Sequence, residues 1–326
     1  MLGEVKAFLG KDWQETERLI GSSLESDIDL LNMTNRSILS NGGKMLRPIM
    51  SLLIARACSG GRTTEDSIRF AAASELLHNA TLLHDDVVDG SPERRGVPTV
   101  FSLLGGPASV LVGDYWLVKC MENILMSETN SEKVIRIFAK TLSDLAEGEM
   151  LQLQKASSCD TDETDYYRII YSKTASLFEA TGVSAAISVD APSWMVEAIR
   201  EYSIDLGIAF QIKDDMLDYY GGTEIGKPVG VDIKEQKITL PLLGALESAD
   251  AGKAASVRKK VMDIQDHPEY LQEIRDFVIE HGGNEYAGKR LNEYVGKAVD
   301  ALHEFPESKE KDYLVTIAAF TAERNK

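Results

Sequence analysis

Apolar residues return at steps of three and four along nearly the whole of this chain, and alternation with a period of two is scarce. A period near 3.6 buries one face of a helix and leaves the other wet, whereas a half-buried strand needs a period of two. The stretches WQETERLIGSSLESDIDLL, IRFAAASELLHNATLLHDD, EKVIRIFAKTLSDLAEGEMLQLQ and YSIDLGIAFQIKDDMLDYY all read as helices. Gly-Gly pairs beginning at Gly42, Gly60, Gly105, Gly221 and Gly282 stand between such segments and punctuate them. The spacing predicts an all-α bundle of roughly a dozen helices. No low-complexity linker divides the 326 residues, so 1–326 is read as a single domain with a substantial core.

Fifty-two acidic residues against 35 basic ones give a formal net charge of −17. That excludes a general nucleic-acid binder, whose affinity rests on basic surface. Cys58, Cys120 and Cys159 are odd in number, widely spaced and in no CxxC, which points to buried thiols in a reducing compartment. The N-terminus carries charges throughout and does not read as a signal peptide. No apolar stretch approaches the roughly 20 residues a membrane-spanning helix needs. A cytoplasmic protein without an integral membrane segment is expected.

Against this background one pattern occurs twice. DDVVD at 85–89 and DDMLD at 214–218 both have Asp-Asp-x-x-Asp spacing, and both close an apolar helical run. On a helix the first and last carboxylates lie one turn apart on one face, with the middle one adjacent. Three such groups repel one another and do not all ionise unaided. Mg2+ removes the conflict, since it takes oxygen ligands and commonly bridges carboxylates to phosphate. A chain this acidic can produce one such cluster on a solvated face; two copies, each in an apolar context, favour the metal–phosphate reading.

The cations gather near these triplets: Lys44 and Arg47 in GGKMLRP, Arg94 and Arg95 in SPERRG, Lys173 beside Thr174 in YSKTASLF, Lys227 in EIGKPVG and Lys237 in KEQKITLPLL. Each alone is an ordinary surface cation. Together they suit phosphate, and they suffice for two diphosphates, one bridged by metal and one held by side chains. GGTEIGKP at 221–228 imitates a P-loop but has Pro228 where the metal-binding hydroxyl belongs, and a helix precedes it. The Glu75–His78 pair imitates a di-iron helix but has no second Glu-x-x-His copy.

GGKMLRP, LLHDDVVDGSPERRG, VGDYWL, KTASLFEATG and FQIKDDMLDYYGGTEIGKPVGVDIKEQKITLPLL, in this order over about residues 40–243, resemble the trans-type polyprenyl diphosphate synthases. The resemblance implies an isoprenoid synthase fold, an all-α bundle around a deep central cavity, and a homodimer. It implies that Asp85, Asp86 and Asp89, with Asp214, Asp215 and Asp218, hold two or three Mg2+ ions, replaceable by Mn2+, against an allylic diphosphate. Arg94, Lys173, Gln211 and Lys227, with Lys237 nearby, then serve that diphosphate, and Lys44, Arg47, His78 and Arg95 serve isopentenyl diphosphate. Thr174 and Gln211 offer dipoles to the allylic cation. Lys213, just before the second triplet, departs from the family's apolar residue or Thr.

In this family the growing hydrocarbon runs along the helix that ends at the first triplet. Ala80 and Thr81 are small where short-chain relatives carry aromatic rings, and Ala80 lies about 7.5 Å deeper than Asp85 at the usual helical rise. Close helix packing is the competing explanation. An open tunnel continuing past Leu77, with a floor from Met121, Ile124 or Leu125, implies a C30–C50 product suited to quinone side chains. The alternatives are a farnesyl or geranylgeranyl diphosphate synthase, or a class I terpene cyclase. The C-terminal FTAERNK either closes over the site or is solvated, and the second is preferred.

Overall fold

The computed structural model describes residues 1–220 and 229–324. Among them are seventeen α-helical segments, one π-turn and a single two-stranded ribbon, so the all-α expectation holds. The segments outnumber the expected dozen because left-handed glycines split runs that read as continuous. Gly10 (φ 56°) divides Leu2–Leu9 from Lys11–Ser23, and Gly105 (φ 85°) divides Val100–Leu104 from Gly106–Leu125. The ribbon pairs Glu93 with Pro98 and Arg94 with Val97, antiparallel. Its two-residue turn, Arg95–Gly96, has φ of 56° and 76°, the double positive φ that such tight hairpins require. The Arg-Gly step in SPERRGVP was its only sequence signal.

The chain divides into two compact units. The first comprises 1–139, 180–199 and 305–314; the second comprises 140–179, 200–304 and 315–326.

In the first unit the helix Glu65–Val88 is the central element. Thr64 starts it: its hydroxyl accepts the Ser67 N–H while the Ser67 hydroxyl accepts the Thr64 N–H, a reciprocal cap. Phe70, Leu76 and Leu77 are almost wholly buried, and buried residues surround the helix on all sides, so it lacks the one-sided pattern of a surface helix. Helix Gly106–Leu125 packs along it. Ser109 Oγ donates to the Leu83 carbonyl at 2.8 Å, and Gly113 lies directly beneath the His84 ring, with the Ala80 carbonyl alongside. Trp116, fully buried, donates its indole N–H to Asn35 at 2.8 Å.

In the second unit Ile212, Tyr219, Leu240, Leu242, Val261, Ile274 and Ala287 form the core. The π-turn Tyr171–Ala175 joins helix Glu163–Ile170 to helix Ser176–Ile187. Two glycines let neighbouring backbone approach it. A methyl at Gly207 would lie 2.6 Å from the Ala175 Cα, and one at Gly148 would lie 2.6 Å from the Ser172 Cβ. Because the obstruction at Gly207 is main chain and cannot swing aside, Gly207→Ala should destabilise the fold by about 1–3 kcal/mol. A thermal melt of the variant checks this; an unchanged midpoint would contradict the packing.

Candidate active site

The helix Glu65–Val88 carries the first triplet to its C-terminal end. Asp86 is 4 % exposed, and Arg94, delivered by the ribbon, donates Nε to its Oδ1 at 2.8 Å. Burial raises the Asp86 pKa, and the Arg94 charge and hydrogen bond offset part of the shift. Asp85 is half-buried and Asp89 exposed. The middle aspartate is thus the most buried of the three, and the outer two are the wetter.

Three arginines of this unit lie close enough to His78 to act on it. Burial, then the charges of Arg47, Arg95 and Arg94 in that order, push the His78 pKa well below its ordinary value. Glu75 is buried near Arg47 and Arg95, and the Asn79 amide donates to its Oε1 at 3.2 Å. This gives Glu75 a structural place and leaves no part of the di-iron pattern. The Arg95 guanidinium lies against the Cα of Gly43, closer than a methyl there would allow unless the arginine moved. Lys44 is exposed on the same segment. A cavity of about 270 Å³ opens beside Asp86, Arg94 and Arg95, walled by Leu82, Met33 and Leu103.

The expected chain-length residues sit one or two turns back. Ala80 (1 % exposed) and Leu77 (0 %) are buried, and Ala80 faces Gly113 in a close helix contact. Thr81 is half-buried and donates its hydroxyl to the His78 carbonyl at 2.8 Å. Of the expected floor residues Ile124 is buried and Met121 half-buried, but Leu125 is 61 % exposed and points away from the packed face. Leu125 is removed from the floor.

The second triplet lies at the end of helix Ser193–Tyr220, within the second unit. Asp215 is 4 % exposed and accepts two bonds, from Tyr166 O–H at 2.7 Å and from Gln211 Nε2 at 2.8 Å. Burial pushes its pKa up to about 7; Asp214 and Asp218 add to the rise, and the two donors counter it. Asp218 accepts the backbone N–H groups of Val231 and Asp232, both at 3.0 Å. Asp214 pairs with Arg324 at 2.9 Å. Arg324 also donates to the Phe210 carbonyl at 2.8 Å and stacks over the Phe210 ring at 3.8 Å. The C-terminal segment is therefore not a solvated tail as far as Arg324, which is 8 % exposed, because one guanidinium satisfies a carboxylate, a carbonyl and a π-face together.

Thr174 donates to Gln211 Oε1 at 2.7 Å, while Lys173 pairs with Glu149 and Lys237 with Glu235, each at 2.5 Å. A polar cavity of about 150 Å³ collects Lys173, Gln211, Asp215 and Lys237 with Tyr166 and Asp232. The last two, and Arg324, were missed by sequence reasoning. Asp232 stands outside any acidic triplet, five residues before Lys237, and Tyr166 reads as an apolar helix position. Burial and the nearby Asp215 and Asp218 hold the Asp232 pKa well above the carboxylate range. Lys213 is half-buried, not turned fully outward. Lys227, with the GGTEIGKP stretch, lies outside the described residues.

The donors fit a hard cation. They are carboxylate oxygens only, and one of them, Asp214, already holds a positive group in Arg324. Among the described residues no three His, Cys, Asp or Glu side chains form a ready cage. Mg2+ does not need one, because it is commonly held by one or two carboxylates plus substrate phosphates and water. Among the described residues no helix is long and apolar enough to cross a membrane.

An all-α chain that closes two helices with carboxylate triplets, each attended by arginine, lysine or amide groups, falls in the class of helical enzymes acting on diphosphate esters. The chain belongs to the polyprenyl synthetase family, matching it over residues 28–278, and is a prenyltransferase. It is 38 % identical over 325 residues to the octaprenyl diphosphate synthase of Haemophilus influenzae, covering 99 % of this chain and 97 % of that one. A polyprenyl synthase from Caulobacter crescentus, solved in complex with calcium and isoprenyl diphosphate, superposes with a TM-score of 0.92 at 35 % identity, covering 100 % of this chain and 98 % of that one. A decaprenyl diphosphate synthase from Rhodobacter capsulatus gives 0.91 at 35 %, covering both chains in full.

The electrostatics of the first unit have a direct consequence. Buried and with three arginines near it, the His78 imidazole should stay neutral through the range near pH 6.5 in which an ordinary histidine gains its proton. Nuclear magnetic resonance of the ring carbons, followed against pH, should show no His78 titration there; a normal curve would contradict the burial of the ring beside Arg47, Arg95 and Arg94.

Proposed function

We propose that this enzyme condenses isopentenyl diphosphate with an allylic diphosphate, in a Mg2+-dependent head-to-tail reaction, to give an all-trans polyprenyl diphosphate of C30–C50. The observation that carries this reading is the same arrangement built twice. A buried, tethered middle aspartate is flanked by wetter outer ones. Asp85 and Asp89, and Asp214 and Asp218, are assigned to the cation. Asp86 and Asp215 orient Arg94 and Gln211.

Bound Mg2+ would supply positive charge to the leaving diphosphate. The rest falls to the chain. Arg94, Lys173, Lys227 and Lys237 neutralise charge that gathers on the diphosphate as the allylic C–O bond breaks. Arg94 keeps its Nε on Asp86 and offers its remaining N–H donors to the phosphate, whereas for Lys173 and Lys237 the phosphate oxygens take over from the present carboxylate partners Glu149 and Glu235. Lys44, Arg47, Arg95 and neutral His78 hold isopentenyl diphosphate, whose double bond attacks the allylic carbon. The Thr174 hydroxyl and Gln211 amide oxygen turn their negative ends toward the cation. The new bond leaves a positive centre that loses a proton to the departed diphosphate, and apolar walls exclude the water that would otherwise quench it.

The octaprenyl and decaprenyl synthases among the relatives support the long product, as do the small residues at 80 and 81. A homodimer is supported by Leu111, Val118 and Leu125, exposed at seven-residue intervals along helix Gly106–Leu125, a spacing suited to a second helix. A single catalytic domain in the cytoplasm completes the assignment, in keeping with three free thiols.

Asp85→Ala or Asp214→Ala should lower turnover by several orders of magnitude with the helical circular dichroism intact, and EDTA should abolish it; full activity in EDTA would refute the metal role. Ala80→Tyr should shorten the product to C15–C20, read by chromatography of radiolabelled chains. Unchanged lengths in a folded variant would refute the tunnel beside Ala80.

A further inference from the structure

The helix that carries Lys173 and Thr174 contains an irregularity that the reaction as described does not use. Five residues, Tyr171–Ala175, form a π-turn, a widening that costs hydrogen-bond quality and recurs where function requires a particular register. Eight residues separate Tyr166 from Thr174. In an unbroken α-helix they would lie about 80° out of line after two turns. The wide turn absorbs that excess. Tyr166 and Thr174 consequently meet the same stretch of helix Ser193–Tyr220, where Gln211 and Asp215 are one turn apart.

The result is a continuous ladder. Tyr166 O–H donates to Asp215 Oδ2 at 2.7 Å, Gln211 Nε2 donates to Asp215 Oδ1 at 2.8 Å, and Thr174 O–H donates to Gln211 Oε1 at 2.7 Å. The direction of each bond is fixed by the next. Gln211 turns its NH2 toward Asp215, which leaves its oxygen to accept from Thr174. Tyr166 is 2 % exposed and Thr174 9 %, so neither hydroxyl is readily satisfied by bulk water instead. Gly148 and Gly207 clear the space in which the widened turn lies.

We propose that the π-turn is a register device and that Tyr166 is a positioning residue for the prenyl transfer, acting through Asp215 to fix the orientation of Gln211 and Thr174. This rests on the assignment of Gln211 and Thr174 to the allylic substrate. Tyr166 spends its hydroxyl on Asp215 and is assigned no contact with the diphosphate or the cation. Its removal should alter chemistry without altering the isopentenyl site, whose residues Lys44, Arg47, His78 and Arg95 belong to the other unit.

The test is a double-mutant cycle with Tyr166→Phe and Thr174→Val, both close to isosteric. Turnover, the KM for isopentenyl diphosphate, the thermal midpoint, and calorimetric binding of inorganic pyrophosphate in Mg2+ are measured for each. Each single variant should lose about tenfold in kcat and in pyrophosphate affinity, the scale of lost outer-shell partners. The double variant should lose little more than either, because one ladder is broken once. The KM for isopentenyl diphosphate should stay at the wild-type value. Losses that multiply to about a hundredfold would overturn the ladder, as would wild-type behaviour of Tyr166→Phe beside an impaired Thr174→Val. Wild-type pyrophosphate binding in Thr174→Val and Asp214→Ala alike would overturn the underlying site assignment, and the ladder with it.

Discussion

A carboxylate taken out of water must be given charge or hydrogen bonds in return, and the structure depends on how it meets that demand at Asp86 and Asp215. Left unpaired, a buried ion costs several kcal/mol. Asp86 is satisfied by Arg94, and Asp215 by a phenol and an amide. The difference is chemical as well as geometric. A guanidinium brings a full charge to the middle aspartate of the first triplet, whereas the middle aspartate of the second is held by neutral donors and the guanidinium there, Arg324, pairs with Asp214 instead. The aspartates on either side of each anchor are thereby fixed in direction while remaining wetter.

Much of the remaining architecture follows from holding these two anchors. The ribbon, with its positive-φ turn at Arg95–Gly96, exists where a helix would have carried Arg94 and Arg95 in a different direction. Gly43 yields its side-chain volume to the Arg95 guanidinium, and Gly207 and Gly148 yield theirs to the π-turn. These glycines are not turn residues. They are places where another group must come closer than a methyl permits. At the end of the chain, Arg324 brings one more cation to the second triplet and uses the Phe210 ring as its platform.

The helical class was legible because its signal, apolar recurrence at three and four, extends over whole segments such as 11–23 and 131–158. The triplets were legible because a local repeat of charged residues stands out from an apolar run. The breaks at Gly10 and Gly105 were not, since a lone glycine or a Gly-Gly pair does not state which φ it adopts. Tyr166 was hidden because its ring packs like any apolar residue and only its hydroxyl reaches Asp215. Asp232 and Arg324 were hidden because their partners lie 14 or more residues away in sequence, which no local pattern encodes. At Ala80 the letters admitted both a tunnel wall and a packing contact; the structure supplies a contact with Gly113, and product length is what distinguishes them.

The most direct measurement is an incubation of the purified enzyme with farnesyl diphosphate, radiolabelled isopentenyl diphosphate and Mg2+, followed by chromatography of the dephosphorylated products. Labelled polyprenols longer than C20, formed only when both diphosphates and the metal are present, are the expected result. Hydrocarbon released from the allylic diphosphate alone, or no labelled product in the presence of all three, would contradict chain elongation at these acidic helix ends.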